Sequence, residues 1–368
     1  MTLVSAPRAL ARFLTDSDSV LVSVIIPTFN RAAMVGDAIE SALRQTYARK
    51  EIIVVDDGSV DETAAVLAGF GDRIRIIRQS NAGAGVARNR AIDAARGELI
   101  AFLDSDDEWF DFKLELQVSV LQAMPQIDFL FTEFVVRRSS GEVLHGGTRQ
   151  WHDNQIDWQT LFASNQRFSS LGVSSLPAVA DFTIYSGSLY RHLLKHYLIL
   201  PTTAIVRTAA LDQLTRFAEG PIVFEDWEFF ARLARCHRGA FADVETAVNR
   251  GHQTPGRLTM CSSLTKLSTH AAIIERVFES DSNFMREHRQ EVNSLKADLF
   301  ARIAREALLG ARPDLARAAL RKRRSLKVGS PRLNTTIYSL LSYAPGGSKA
   351  IRLARQTLRL ARTIGRRA

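Results

Sequence analysis

The chain has 368 residues, 46% hydrophobic and 24% charged, which is ordinary for a globular protein and ample for one large domain or two smaller ones. Its two cysteines, Cys236 and Cys261, exclude a disulfide framework or a cysteine-only zinc cluster and fit a reducing compartment. The formal charge of +9 is unevenly spread: residues 311–368 hold 15 of the 48 Lys and Arg and one acidic residue, Asp314. The body is thus mildly acidic, which argues against a nucleic-acid-binding core. No apolar run reaches the roughly 18 residues that span a bilayer. The N-terminus lacks the charged-then-apolar pattern of a secretory leader, so none is expected.

In chain order, residues 20–29 and 51–57 form apolar, β-rich runs, with helical spacing over 32–45 between them. A helix follows over 61–70, a strand over 74–78, a helix over 84–95 and a strand over 98–103. Strands alternating with helices at this interval predict βαβ units, an α/β fold with a mainly parallel sheet covered on both faces. An amphipathic helix is expected over 113–124 and a strand over 128–137. Residues 139–195 are less regular. Strand, helix and strand signals resume at 202–207, 225–235 and 241–250, and from about residue 264 the chain reads as helical. Residues 299–308 and 315–320 look like an antiparallel helix pair joined at Gly310–Pro313.

Three strand ends carry chemistry: Pro27-Thr-Phe-Asn30, Asp56-Asp-Gly-Ser59 and Asp104-Ser-Asp-Asp107. In open α/β sheets, ligands bind beyond the carboxyl ends of the strands. Carboxylates are costly to leave unpaired in such partly desolvated places. The alternating acids of Asp104-Ser-Asp106 present oxygen ligands to one hard cation, which can in turn hold a diphosphate. Helix capping is the plain alternative for Ser59-Val-Asp-Glu62 and for Asp107. The Gly83-Ala-Gly85 fragment lacks the third glycine of a dinucleotide fingerprint, Arg88 standing there, and reads as a tight turn.

Val22-Ser-Val-Ile-Ile-Pro-Thr-Phe-Asn30, Glu51-Ile-Ile-Val-Val-Asp-Asp-Gly-Ser59, Asn81-Ala-Gly83 with Ala87-Arg-Asn89, Gly97-Glu98 and Leu103-Asp-Ser-Asp-Asp107 occur in order. Together they resemble the family-2 inverting glycosyltransferases of the GT-A fold, densely over residues 21–110 and thinly to about residue 258. The resemblance implies a Rossmann-like GT-A domain over 20–258, with a donor half (20–110) and an acceptor half (111–258). An N-terminal tail (1–19) and a basic helical region (259–368) flank it. It implies that Pro27 and Phe29 line a base pocket, and that Asp57 bonds base or ribose. Arg88 would sit near base or diphosphate, Asp104 would face ribose and sugar, and Asp106 of this DXD motif would ligate Mn²⁺ or Mg²⁺. Asp107 is expected as the next helix cap, with a second ligand contact as the alternative.

Inverting transfer needs one general base for the acceptor hydroxyl. The resemblance assigns that role to Asp226 in Phe224-Glu-Asp-Trp-Glu228, with Glu225 orienting it or binding acceptor; acid enrichment at a helix start is the plain reading. It also brings Arg250 and His252 towards the diphosphate or the cation, and puts Thr202-Thr203 beside the acceptor, a strand start being the plain alternative. Gln253 and Arg257 share the His252 loop. Trp109 and Trp227 suit sugar stacking or core packing.

In the tail, Arg352, Arg355, Arg359, Arg362 and Arg366 fall within about 80° of helical arc beside an apolar face. This is the pattern of an interfacial helix on an anionic membrane, with a docked helix as the alternative. The expectation is a cytoplasmic enzyme, peripheral at the inner face of the plasma membrane. It would move a sugar from a UDP-sugar to a saccharide or lipid-linked acceptor in surface polysaccharide biosynthesis, with no nucleic-acid partner. The alternatives are a nucleotidyltransferase of similar fold, or a non-catalytic sugar-nucleotide-binding protein at the membrane. The Pro27–Asn30 loop argues against the former and the intact acids against the latter.

Overall fold

A computed structural model describes residues 20–152, 156–173, 176, 179–220, 223–251, 260–328 and 333–343. The chain divides into two compact units. The first comprises residues 1–189, 199–220 and 236–252, the second residues 190–198, 221–235 and 253–368. The sequence reading drew its boundary near residue 258. The chain contacts instead group 190–198 and 221–235 with the C-terminal helices.

The first unit is built on one 11-stranded sheet. Its strands are β1 (Val22–Thr28), β2 (Lys50–Asp56), β3 (Arg75–Arg78), β4 (Leu99–Phe102), β5 (Asp107–Trp109), β6 (Phe129–Arg138), β7 (Val143–Leu144), β8 (Ser164–Arg167), β9 (Thr183–Gly187), β10 (Ile205–Arg207) and β11 (Gly239–Gly251). Its helices are α1 (Val35–Leu43), α2 (Thr63–Ala68), α3 (Ala84–Ala94), α4 (Lys113–Ala123), α5 (Gly147–Trp151) and α6 (Trp158–Leu161). The strand order is β3-β2-β1-β4-β10-β6-β11-β9-β8, with β5 on β11 and β7 on β6. Strands β3, β2, β1 and β4 are parallel, as are β6 and β11, whereas β10 joins β4 to β6 antiparallel to both. β1 is buried along its whole length and β2 over its last five residues, so both read as continuous apolar runs.

This order creates a crevice. The chain runs outward from β1 to β2 to β3, then returns to β4 on the other side of β1, so the loops after β1 and β4 part. Pro27 deepens the parting. The Ile25 carbonyl accepts from the Leu103 N–H, so alternate residues Ile25 and Pro27 face β4. Pro27 has no N–H to extend that ladder, and β4 ends at Phe102.

Two expectations are revised here. The strand expected over 202–207 begins as a 3₁₀ turn, Pro201–Thr203, and only Ile205–Arg207 is strand. Helix α4 is not amphipathic: Lys113 and Gln117 are buried along with its apolar residues. The Lys113 ammonium donates to the Gln117 side chain and to the Thr203 carbonyl (3.4 Å), and lies 4.7 Å over the Trp109 ring. Burial pushes its pKa well below the usual lysine range. The irregular stretch contributes β7, β8 and β9. Trp158 stacks on Phe241 at 3.8 Å, and Phe168 on Phe182 at 4.8 Å.

The second unit contains α7 (Tyr190–Leu193), α8 (Glu225–Cys236), α9 (Ser263–Ile273), α10 (Ser282–Leu309), α11 (Pro313–Ser325) and α12 (Leu333–Tyr343). The Ser262 and Asp281 side chains cap α9 and α10. The expected helix pair is present as α10 and α11: Ala311 turns the chain with φ +57°, and Pro313 starts α11, where its missing N–H costs nothing. Among the described residues no helix is long and apolar enough to cross a membrane.

Candidate active site

The three strand ends, two of them acidic, meet at the carboxyl edge of the parallel strands. After β2, Gly58 turns with φ +80°, and a Cβ there would lie 2.8 Å from the Asn81 nitrogen. The buried Asp57 carboxylate accepts from Gln79 Nε2 (2.7 Å), Ala82 N–H (2.9 Å) and Gly83 N–H (2.8 Å). Its charge therefore shapes the loop that leads into α3. After β1, Asn30 adopts φ +51°, accepts from the Val60 N–H and donates its own N–H to the Ser59 hydroxyl. This leaves the Phe29 ring 40% exposed at the rim, while Pro27 is enclosed within β1.

Arg88 lies one turn into α3, buried, with its guanidinium 5.1 Å from the Phe217 ring centre. It donates to Asp104 Oδ1 at 2.6 Å. Its surroundings are tightly built. Asn89 bonds both the N–H and the carbonyl of Phe217, and Gly85 sits so close to Ala218 that a Cβ would meet its carbonyl oxygen at 2.3 Å. Asp106 Oδ2 lies 3.7 Å from Arg31 Nε. Each acid of the Asp104-Ser-Asp106 pattern thus faces a guanidinium, from α3 and from the loop after β1.

Asp107 is not a helix cap. It opens β5 and is buried, and α4 starts only at Lys113. Its carboxyl accepts from the Thr202 hydroxyl (2.7 Å), Asn249 Nδ2 (2.9 Å) and the Arg250 N–H (3.1 Å). Burial pushes its pKa well up, and the Asp106 and Asp104 charges push the same way. The Arg250 guanidinium is held by Asp37 (2.8 Å) and Glu108. Thr203 is turned inwards, its hydroxyl donating to the Leu200 carbonyl at 2.7 Å. Trp109 is core, with its indole N–H on the Thr202 carbonyl at 2.7 Å. His252, Gln253, Arg257 and the segment 349–366, expected as a helix, lie outside the described residues.

In the second unit, Glu225 and Asp226 open α8, preceded by Phe224 at φ +65°, a costly conformation for a bulky side chain. Asp226 Oδ2 accepts from the Tyr197 hydroxyl at 2.5 Å, and Oδ1 from the Trp227 N–H at 2.7 Å. Trp227 is enclosed, its indole N–H on the Leu193 carbonyl (2.7 Å), so it packs rather than offering a stacking face. Glu228, buried, receives Arg232 and Arg276; burial works to raise its pKa, but these bonds outweigh it and the net shift is downward.

Sequence reasoning passed over Arg31 and Tyr197, and it noticed Thr202 and Asn249 only within the acceptor-side and Arg250-Gly-His252 segments, not as partners of Asp107. Arg31 directly follows the Asn30 loop and was findable as a cation beside acids. The pairings of the others carry no local signal, because their partners stand 29 to 142 residues away.

Residues 23–191 match the model of glycosyl transferase family 2. That segment, a little under half of the chain, is a glycosyl transferase family 2 domain. The matched segment carries Asp57, Arg88, Asp104 and Asp106; Asp226 lies beyond it. An uncharacterized glycosyltransferase of Rickettsia prowazekii (strain Madrid E) is 41% identical over 112 residues, 30% of this chain and 35% of the relative. The UDP-Glc:alpha-D-GlcNAc-diphosphoundecaprenol beta-1,3-glucosyltransferase WfgD of Escherichia coli is 41% identical over 121 residues, 32% of this chain and 47% of WfgD. The chain therefore spans about a third to a half of these relatives' length. S. aureus TarS 1–349, solved in complex with UDP-GlcNAc, shares the fold: TM-score 0.52 at 19% identity, over 83% of this chain and 90% of that one.

Proposed function

We propose that this protein transfers a sugar from a nucleotide-sugar donor, with UDP as the nucleotide, to the hydroxyl of a saccharide or lipid-linked acceptor, with inversion at the anomeric carbon. The observation that carries this reading is the pairing of Asp104 with Arg88 and of Asp106 with Arg31 at the switch point of a family-2 sheet. Two acids and two guanidiniums together can receive an anionic diphosphate and its counter-cation. The exposed Phe29 ring offers an apolar face for the base, and Asp57 sets the loop beside it. TarS is named as binding UDP-GlcNAc, and WfgD as using a lipid-linked acceptor; both support the donor and acceptor classes.

The donor set fits a divalent cation. Among the described residues no group of three or more His, Cys, Asp or Glu forms a protein-only cage. Asp106, with Asp104 beside it, supplies the one or two carboxylates that Mg²⁺ commonly takes together with substrate phosphates. Mn²⁺ or Mg²⁺ held there would offset charge on the leaving diphosphate. Arg88 and Arg31 hold the two carboxylates in place and add positive charge to the same rim.

Asp226 is the proposed base, with Glu225 beside it. The Tyr197 hydroxyl orients the Asp226 carboxylate, and the hydrogen bond from its own N-terminal turn fixes the second oxygen. A carboxylate so held is ready to take the acceptor proton as the oxygen attacks. The setting we propose is cytoplasmic surface polysaccharide assembly, with the basic segment 349–366 resting on anionic membrane.

The test is a donor panel with Mn²⁺, read as binding and as transfer. UDP-sugar binding that requires Mn²⁺ is expected, with Asp226→Asn abolishing transfer while leaving donor affinity near the parent value. Full transfer by Asp226→Asn would remove it as base.

A further inference from the structure

We propose that Thr202 is a positioning residue for the Asp104 and Asp106 carboxylates, its single hydroxyl pinning both ends of the turn that carries them. The inference rests on the family-2 donor-site reading. Thr202 lies on the 3₁₀ turn Pro201–Thr203, fully buried. Its Oγ1 accepts from the Asp104 N–H at 3.2 Å and donates to Asp107 Oδ2 at 2.7 Å. The turn closes on itself through Asp107 N–H to the Asp104 carbonyl at 3.0 Å. Asp104 and Asp107 are therefore fixed by one atom, and Ser105 and Asp106 are carried between them.

The clamp is reciprocal. Trp109, two residues past the turn, donates its indole N–H to the Thr202 carbonyl at 2.7 Å. The neighbouring Thr203 carbonyl accepts from Gln117 Nε2 at 2.8 Å, which anchors the 3₁₀ turn to α4. On its far side Asp107 is held by Asn249 Nδ2 and the Arg250 N–H. Among the described residues, both hydrogen bonds of the Thr202 hydroxyl go to the acidic turn. A hydroxyl used only for packing would not need both. An isosteric valine would leave the Asp104 N–H and one Asp107 oxygen without that partner, with little change in volume.

Thr202→Val and Thr202→Ser in the full chain test this, with three readouts: amide exchange across residues 103–109, Mn²⁺-dependent UDP binding by calorimetry, and thermal unfolding. Thr202→Val is expected to speed exchange at Asp104 and Asp107, and to weaken Mn²⁺-dependent UDP binding, each by about tenfold or more, the size set by losing hydrogen bonds to a charged turn. Thr202→Ser should restore both to within about threefold. Parent-like affinity in Thr202→Val, whether or not exchange changes, overturns the positioning role. So does a loss that serine fails to rescue, or one that merely follows a collapse in unfolding temperature. If the parent chain itself binds no UDP with Mn²⁺, the donor-site reading falls and takes this inference with it. Binding in the parent that Thr202→Val leaves untouched sinks the inference alone.

Discussion

Arg88→Met tests whether the Arg88–Asp104 pair is a structural element of the donor rim. Methionine keeps most of the apolar stem against Phe217 and removes the charge. Breaking a buried ion pair by deleting one partner costs about 3–5 kcal/mol, because the other charge is left uncompensated. Here the two partners differ in exposure: the Arg88 side chain is 5% exposed and that of Asp104 24%. Asp104 can recover some water through its open side, which brings the pair's share down to about 2 kcal/mol. Loss of the guanidinium over the Phe217 ring adds roughly 0.5–1 kcal/mol. The expected destabilisation is thus about 2–3 kcal/mol. It can be read by urea unfolding with tryptophan fluorescence, since Trp109, Trp151 and Trp158 all report on the first unit. A double-mutant cycle with Asp104→Asn isolates the pair, and a coupling of about 1.5–2 kcal/mol is expected. Coupling within about 0.5 kcal/mol of zero would refute the argument, and would mean that water screens the pair completely.

Gly85→Ala places a methyl 2.3 Å from the Ala218 carbonyl oxygen, and should cost about 1–3 kcal/mol as the 217–218 segment moves away from Arg88. An unchanged urea midpoint would show that this approach is not tight. His270 donates Nε2–H to the Leu194 carbonyl at 2.9 Å, and burial first of all brings its pKa down to about 4. The depressed value sets the sign: below pH 6.5 the unfolded chain takes a proton that the folded chain refuses. The neutral ring's contribution is therefore complete above pH 6.5 and lost as pH falls through about 4. The loss is roughly 3 kcal/mol. His270→Gln should flatten that part of the stability–pH curve in urea titrations between pH 7 and 4.5, and superimposable curves would contradict the burial argument.

The sequence alone determined the βαβ order of the first 110 residues, the two acidic strand ends and the resemblance to the family. Those signals are local: β1 and β2 are buried over nearly all their length and so read as apolar runs, and each acidic loop directly follows a strand. The C-terminal hairpin was legible for a similar reason, since Gly310 and Pro313 punctuate one continuous helical pattern. What the tertiary structure decided lies in pairings between distant segments. Asp107 reads locally as a cap, yet Thr202 and Asn249, 95 and 142 residues on, make it the anchor of the acidic turn. Lys113 reads as the polar face of a helix, yet the Trp109 ring and the Thr203 carbonyl enclose it. Trp227 reads equally as a stacking face or as core, and a carbonyl from 34 residues earlier, which takes its indole N–H, decides for packing. Local sequence sets which groups stand at a strand end. Only the packed sheet brings the distant donors that decide whether a carboxylate points at a ligand or is consumed in holding the loop.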